Sequence, residues 1–173
     1  MQQDFVTMRR RVDARTRVDT MGQEIERKFL VVNDSWRTAG TQSIRMRQGY
    51  LSEGYERSVR VRTENDRAFI NIKSSDDGIH RLKYEYEIPL HDADEILERI
   101  ALRPLIEKTR YIVEHEGFEW EVDVFEGDNA GLVVAEVELP SIDVRPPLPD
   151  WTGREVSDDL RYYNVSLQKN PYC

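Results

Sequence analysis

From Glu24 onward the chain falls into short segments in which apolar and charged residues alternate, the period-two pattern of half-buried strands. Strands are expected at Glu24–Val31 and Ser43–Ser52. Arg57–Thr63 and Arg67–Ser74 read as a hairpin around Glu64-Asn65-Asp66, and Arg81–Leu90 follows a turn at Asp76-Asp77-Gly78. His91–Leu102 has helical spacing, with Asp92 or Asp94 near its start. Leu105–Glu114 and Phe118–Phe125 form a second hairpin across Glu116-Gly117, and Gly131–Pro140 is a nearly continuous apolar strand with two acids in it. Ser141–Trp151 is Pro-rich and irregular. Ser157–Lys169 opens on Ser-Asp-Asp, a good N-cap, and predicts a closing helix. Many short strands with few helices predict an α+β chain: an antiparallel barrel or sandwich with helices appended.

Sorting each strand by side-chain parity changes the picture, because alternate residues face opposite sides of a sheet. Glu24, Glu26 and Lys28 share a face against Ile25, Phe29 and Val31. Arg60 and Arg62 share one, Asn71 and Lys73 another, and Arg81, Lys83, Glu85 and Glu87 a third. Lys108 pairs with Arg110, Glu119 with Glu121 and Asp123, and Glu136 with Glu138. For any single strand, the wet face of an antiparallel sheet accounts for this. Taken together the ionic faces carry both signs and little Ser, Thr or Gln. A closed barrel of about eight strands can hold an interior ligand. Ions of both signs lining it make sense around an ionic ligand, since burying them otherwise carries a desolvation penalty.

Glu24/Glu26, Glu85/Glu87 and Glu136/Glu138 each set two carboxylates at i, i+2 on one face. Like charges that close destabilise a sheet, and a hard divalent cation removes the conflict. Mg²⁺ typically takes one or two carboxylates and completes its shell with water and phosphate oxygens.

Composition adds bounds. The 173 residues suit one domain. Residues 1–21 are expected to be a disordered tail and 22–173 the domain; the tail has no apolar stretch of a secretory signal. With 25 basic and 33 acidic residues the net charge is −8, which argues against a nucleic-acid or anionic-membrane partner. No apolar run approaches the roughly 20 residues that span a bilayer. Cys173 is the sole cysteine, so neither an internal disulfide nor a Cys-based zinc site is available. A cytoplasmic location fits that usage. Twenty of the basic residues are Arg, suited to forked recognition of phosphate, although a high-GC genome accounts for the bias equally well.

Glu24-Ile25-Glu26-Arg27-Lys28 resembles the E-x-E-x-K strand of the triphosphate tunnel metalloenzymes, the CYTH superfamily. Arg47-Gln48-Gly49-Tyr50-Leu51, Arg60-Val61-Arg62, Lys73 and Tyr84-Glu85-Tyr86-Glu87-Ile88 continue the likeness in order. So do Glu107-Lys108-Thr109-Arg110-Tyr111, Glu121-Val122-Asp123-Val124-Phe125, Glu136-Val137-Glu138 and Arg161-Tyr162-Tyr163-Asn164. The resemblance, strongest to the short bacterial members, implies an eight-stranded antiparallel tunnel with a few flanking helices. It implies a metal-dependent hydrolase, most often of inorganic tripolyphosphate, that releases phosphate through attack by a metal-activated water. Glu24, Glu26, Asp123, Glu136 and Glu138 would hold Mg²⁺ or Mn²⁺, and Glu85 and Glu87 would line the tunnel. Lys28, Arg60, Arg62, Lys73, Lys83, Arg110 and Arg161 would bind phosphates. Lys108 and Tyr50 resemble the pair that activates the attacking water. Lys83 stands where members often have Arg, so its phosphate contact would be single rather than forked. The expected partner is a small triphosphate molecule, and a homodimer stays open.

Other activities fit parts of the pattern. An adenylate cyclase of this superfamily usually carries His-Phe shortly before the first strand; here Thr20, Met21, Gly22 and Gln23 stand there. Thiamine triphosphate would want an aromatic surface, which Trp36, Trp120 or Trp151 could supply, although core packing is the simpler reading of each. A non-catalytic polyphosphate-binding module is a further alternative, against which Lys108 and the acid set argue. His80 and His91 lack metal-ligand spacing and read as surface residues.

Overall fold

The computed structural model describes residues 25–38, 41–52, 57–76 and 80–172, with backbone alone at 74–76 and 80–83. Glu24 and the expected tail lie outside the described residues. The strands are β1 (Glu26–Val31), β2 (Gln42–Tyr50), β3 (Arg57–Glu64), β4 (Arg67–Asp76), β5 (His80–Ile88), β6 (Ile106–His115), β7 (Phe118–Phe125), β8 (Val133–Glu138) and β9 (Thr152–Glu155). Among the described residues two α-helices, α1 (Leu90–Arg99) and α2 (Asn164–Lys169), complete the α+β architecture.

All nine strands join one antiparallel sheet in the order β5-β4-β3-β2-β6-β7-β8-β1-β9. This departs from the expected eight-stranded closed tunnel in two respects. The ninth strand is β9, whose Thr-Gly-Arg-Glu carries no apolar alternation to announce it. Among the described residues the sheet is also not closed, because β5 and β9 at its edges do not pair with each other. It remains strongly concave, with a cavity of about 1040 Å³ along its inner face.

Both expected hairpins form on two-residue loops. Glu64 pairs with Arg67 around Asn65-Asp66, with Asn65 at φ 52°. His115 pairs with Phe118 around Glu116-Gly117, at φ 48° and 83°. Positive φ at both positions of the Glu116-Gly117 loop matches the right-handed twist of the flanking strands, and Gly117 adopts it without steric cost.

The outward faces hold most of the core. Phe29, Trp36, Trp120, Val122, Val137 and Trp151 form one cluster, with Trp120 packed edge-on against Trp151 at 5.4 Å between ring centres. All three tryptophans are buried, so they offer no aromatic surface to a ligand. Helix α1 lays Ala93 and Leu97 on Val61 and Ala68 behind β3 and β4. It starts after Pro89, without a side-chain cap, and Asp92 stands in its first turn as expected.

The closing helix is shorter than its pattern suggests. Asp159 accepts from the Arg161 backbone, but it caps a single 3₁₀ turn at Leu160–Tyr162, and α2 begins only at Asn164. Leu167 of α2 packs on Ile106, Phe125, Leu132 and Val134. Ile106, Phe125 and Val134 continue the inward parity of β6, β7 and β8, so the closing segment plugs one end of the concave face.

Candidate functional site

The ladder carries the ionic parity from strand to strand. Glu26 is the Cα partner of Glu138 and Lys28 of Glu136 across β1 and β8. Glu136 is in turn opposite Glu121 on β7, and Arg110 on β6 opposite Asp123. On the other side Tyr50 faces Arg60, Arg60 faces Asn71, and Asn71 faces Glu85. The ionic face is therefore one concave wall, and the wet-face alternative does not hold for it.

Of the residues expected at the site, Glu26, Lys28, Tyr50, Arg60, Arg62, Lys73, Glu85, Lys108, Arg110, Glu136 and Glu138 line the cavity. Asp123 lies just behind the wall, 1% exposed, beneath Lys108 and Arg110. Two others are not brought there. Glu87 is exposed at the sheet edge and pairs with Arg67 at 2.7 Å. Arg161 is 77% exposed and folds back on Asp159 at 2.7 Å, outside the cavity. The Glu24 residue and the Lys83 side chain lie outside the described residues, as does the His80 side chain; His91 is exposed as expected.

The wall neutralises itself in pairs. Lys28 Nζ lies 2.8 Å from Glu136 Oε1, and its ammonium sits 4.7 Å from the Tyr163 ring centre. Burial pulls the Lys28 pKa down, but Glu136 and Glu26 outweigh it and hold the amine above its ordinary value. Arg110 is gripped in a fork by Asp123, with Nε–Oδ1 and Nη2–Oδ2 both 2.7 Å. It also reaches Glu121, and Glu136 at 3.3 Å. Lys108 Nζ donates to Asp123 Oδ2. Arg62 meets Glu64 at 2.5 Å and Glu85 at 3.3 Å.

Burial would raise the Asp123 and Glu136 carboxyls, yet their cations dominate and hold both below the usual carboxylate range. Glu121 goes the other way: desolvation, with Asp123 and Glu136 nearby, pushes it up despite Arg110. Desolvation also lowers the Lys108 amine, helped by Arg110 and opposed by Asp123. Tyr50 is raised by burial in spite of Arg60, so its phenol keeps its proton.

The metal question turns on which carboxylates present oxygens to the cavity. Glu26 and Glu138 face each other as neighbours on the wall, hard-oxygen donors whose mutual repulsion a divalent cation would relieve. Asp123 has both oxygens taken by Lys108 and Arg110, and Glu136 both by Lys28 and Arg110. Among the described residues no three acids or histidines converge as a metal-holding group. The donors fit a cation at Glu26 and Glu138; Asp123 does not fit as it stands.

Sequence reasoning gave no site role to Gln48, Glu64, Glu121 and Tyr163, all of which line the cavity. Strand parity set Glu121 on one face with Asp123, and it could also have found Gln48 and Glu64, which share faces with Tyr50 and Arg62. Tyr163 is not on a strand and carried no such signal.

Residues 22–170 match the CYTH domain. The chain belongs to the CYTH family. An inorganic triphosphatase of Acetivibrio thermocellus is 50% identical to this CYTH chain over 152 residues, spanning 88% of this chain and 97% of that protein. One of Nitrosomonas europaea is 34% identical over 148 residues, spanning 83% and 95%. A crystal structure of an inorganic triphosphatase superposes with a TM-score of 0.64 at 33% identity, covering 86% of this chain and 95% of that one. Among the described residues, no helix of this CYTH protein is long and apolar enough to cross a membrane.

Proposed function

We propose that this CYTH protein hydrolyses inorganic tripolyphosphate to orthophosphate and pyrophosphate. The observation that carries the reading is the cavity wall itself. It concentrates Lys28, Arg60, Arg62, Lys73, Lys108 and Arg110 on a single concave surface in a chain of net charge −8. A linear polyanion is the ligand such a wall can hold, and its relatives at 50% and 34% identity are inorganic triphosphatases.

Phosphoryl transfer needs mostly positioning and charge stabilisation. Lys28, Arg60, Arg62, Lys73 and Arg110 orient the phosphate chain. Glu26 and Glu138, with Glu24 of the same strand motif, would hold a divalent cation, Mg²⁺ or Mn²⁺. When bound, that ion supplies charge neutralisation to the phosphate oxygens. Lys108 in its neutral form, which its lowered pKa favours, takes a proton from the attacking water and becomes the ammonium. Tyr50, protonated, donates a hydrogen bond rather than acting as a second base. The bond between the terminal phosphorus and its bridging oxygen breaks, and pyrophosphate leaves. A cytosolic setting belongs to the same reading.

Phosphate release from tripolyphosphate, ATP and thiamine triphosphate, with Mg²⁺ or Mn²⁺, tests it. Turnover of tripolyphosphate above the other two is expected; cyclic AMP from ATP, or no turnover of any of them, would refute it.

A further inference from the structure

Five of the cavity cations are held in two different ways. Lys28, Arg62, Lys108 and Arg110 each meet at least one carboxylate. Arg60 is held by neutral amides. Its Nη1 donates to Gln48 Oε1 at 3.3 Å and its Nη2 to Asn71 Oδ1 at 3.2 Å. Among the described residues Arg60 makes no ion pair with a carboxylate. Gln48 is 1% exposed and Asn71 0%, on the strands that flank β3 on either side.

With their oxygens turned to Arg60, both amides leave an NH₂ group, Gln48 Nε2 and Asn71 Nδ2, without a partner among the described residues, and Arg60 Nε is likewise unpartnered. Buried donors left without acceptors are costly, which marks this spot as one short of acceptors. A carboxylate would satisfy Arg60 more strongly, as it does its neighbours, but would also offset its charge. Two amides fix the guanidinium plane and leave the charge whole.

We infer that Gln48 and Asn71 are positioning residues that hold Arg60 as an uncompensated, pre-oriented cation, the first point of attachment for the phosphate chain. This deepens the triphosphate reading and rests on it. An anion arriving at Arg62 or Arg110 must displace a carboxylate, whereas one arriving at Arg60 displaces none. Gln48, which lines the cavity, adds its own N–H donors toward the same phosphate oxygens.

The test is calorimetric binding of tripolyphosphate in chelator, without turnover, to the unaltered chain and to Gln48→Glu, Asn71→Asp and Gln48→Met. The two acidic variants keep shape and acceptor oxygen but neutralise Arg60, so a folded example of either should bind at least tenfold more weakly. Gln48→Met removes the clamp oxygen and adds no charge, so its loss should be several-fold smaller than that of Gln48→Glu. A merely structural role would make the losses follow the melting temperatures instead of the charge. Binding unchanged in an acidic variant, an equal loss in Gln48→Met, or no metal-free binding by the unaltered chain would overturn the inference. Failure of the triphosphatase reading shows separately, as absent tripolyphosphate turnover by the unaltered chain.

Discussion

Lys108 and Asp123 are joined across β6 and β7 with only 2% of either side chain exposed. The same carboxylate forks to Arg110, so one buried anion anchors two cations of the cavity wall. Removing it leaves both without their main counter-charge, the situation in which breaking a buried pair costs about 3–5 kcal/mol. Asp123→Ala is therefore expected to destabilise the chain by about that amount, read from urea unfolding midpoints. A loss below about 1 kcal/mol would show that the cations find other partners.

Acid should unfold the protein through the same groups. Asp123 and Glu136 are held below their ordinary values by Lys108, Arg110 and Lys28, so the unfolded chain binds protons at a higher pH than the fold does. Their contribution is complete above the ordinary carboxylate range, about pH 4, and is lost as pH falls below it. Urea midpoints from pH 7 to pH 3 should fall below about pH 4.5. Glu136→Gln should shrink that fall, and an unchanged pH profile in the variant would contradict the assignment.

The alternation of the sequence was a sound guide wherever a strand lies in the middle of the sheet. Glu26, Lys28, Arg60, Arg62, Lys108, Arg110 and Glu136 all came to one surface, because parity fixes the face and pairing fixes the neighbour. It failed where local pattern says little about reach. Glu87 keeps its parity but stands at an edge, where Arg67 holds it in solvent. Arg161 belongs to a turn, so no periodicity aimed it, and Asp159 beside it won the guanidinium. Asp123 was expected as a ligand from the family resemblance, and in the fold its neighbours Lys108 and Arg110 take both its oxygens. β9 was illegible because a four-residue edge strand pairs through its backbone.

Helix α1 makes a separate test of the packing. A Cβ at Gly49 would stand 2.6 Å from Ala101 Cβ, 2.9 Å from Leu105 Cδ2 and 3.0 Å from Leu97 Cδ2. Gly49 thus lets β2 approach the segment that carries α1. Gly49→Ala should destabilise by about 1–3 kcal/mol through overpacking. Thermal melting reads the change, and a variant as stable as the parent would show the contact to be slack.

Lys108→Arg probes the proton transfer. Arg keeps the positive charge and an ion pair with Asp123 but does not give up its proton near neutral pH. Tripolyphosphate kcat should fall about 10²–10⁴-fold, the usual weight of general base catalysis. Circular dichroism should show the fold retained. A folded Lys108→Arg variant with parental kcat would assign the base elsewhere.

The central claim is that the cavity hydrolyses the terminal anhydride of tripolyphosphate. Phosphorus-31 NMR of tripolyphosphate incubated with the protein and Mg²⁺ reads this most directly. Orthophosphate and pyrophosphate should grow in equal amounts, and neither should grow when the metal is chelated. Tripolyphosphate left intact in the presence of Mg²⁺ and Mn²⁺ would contradict it.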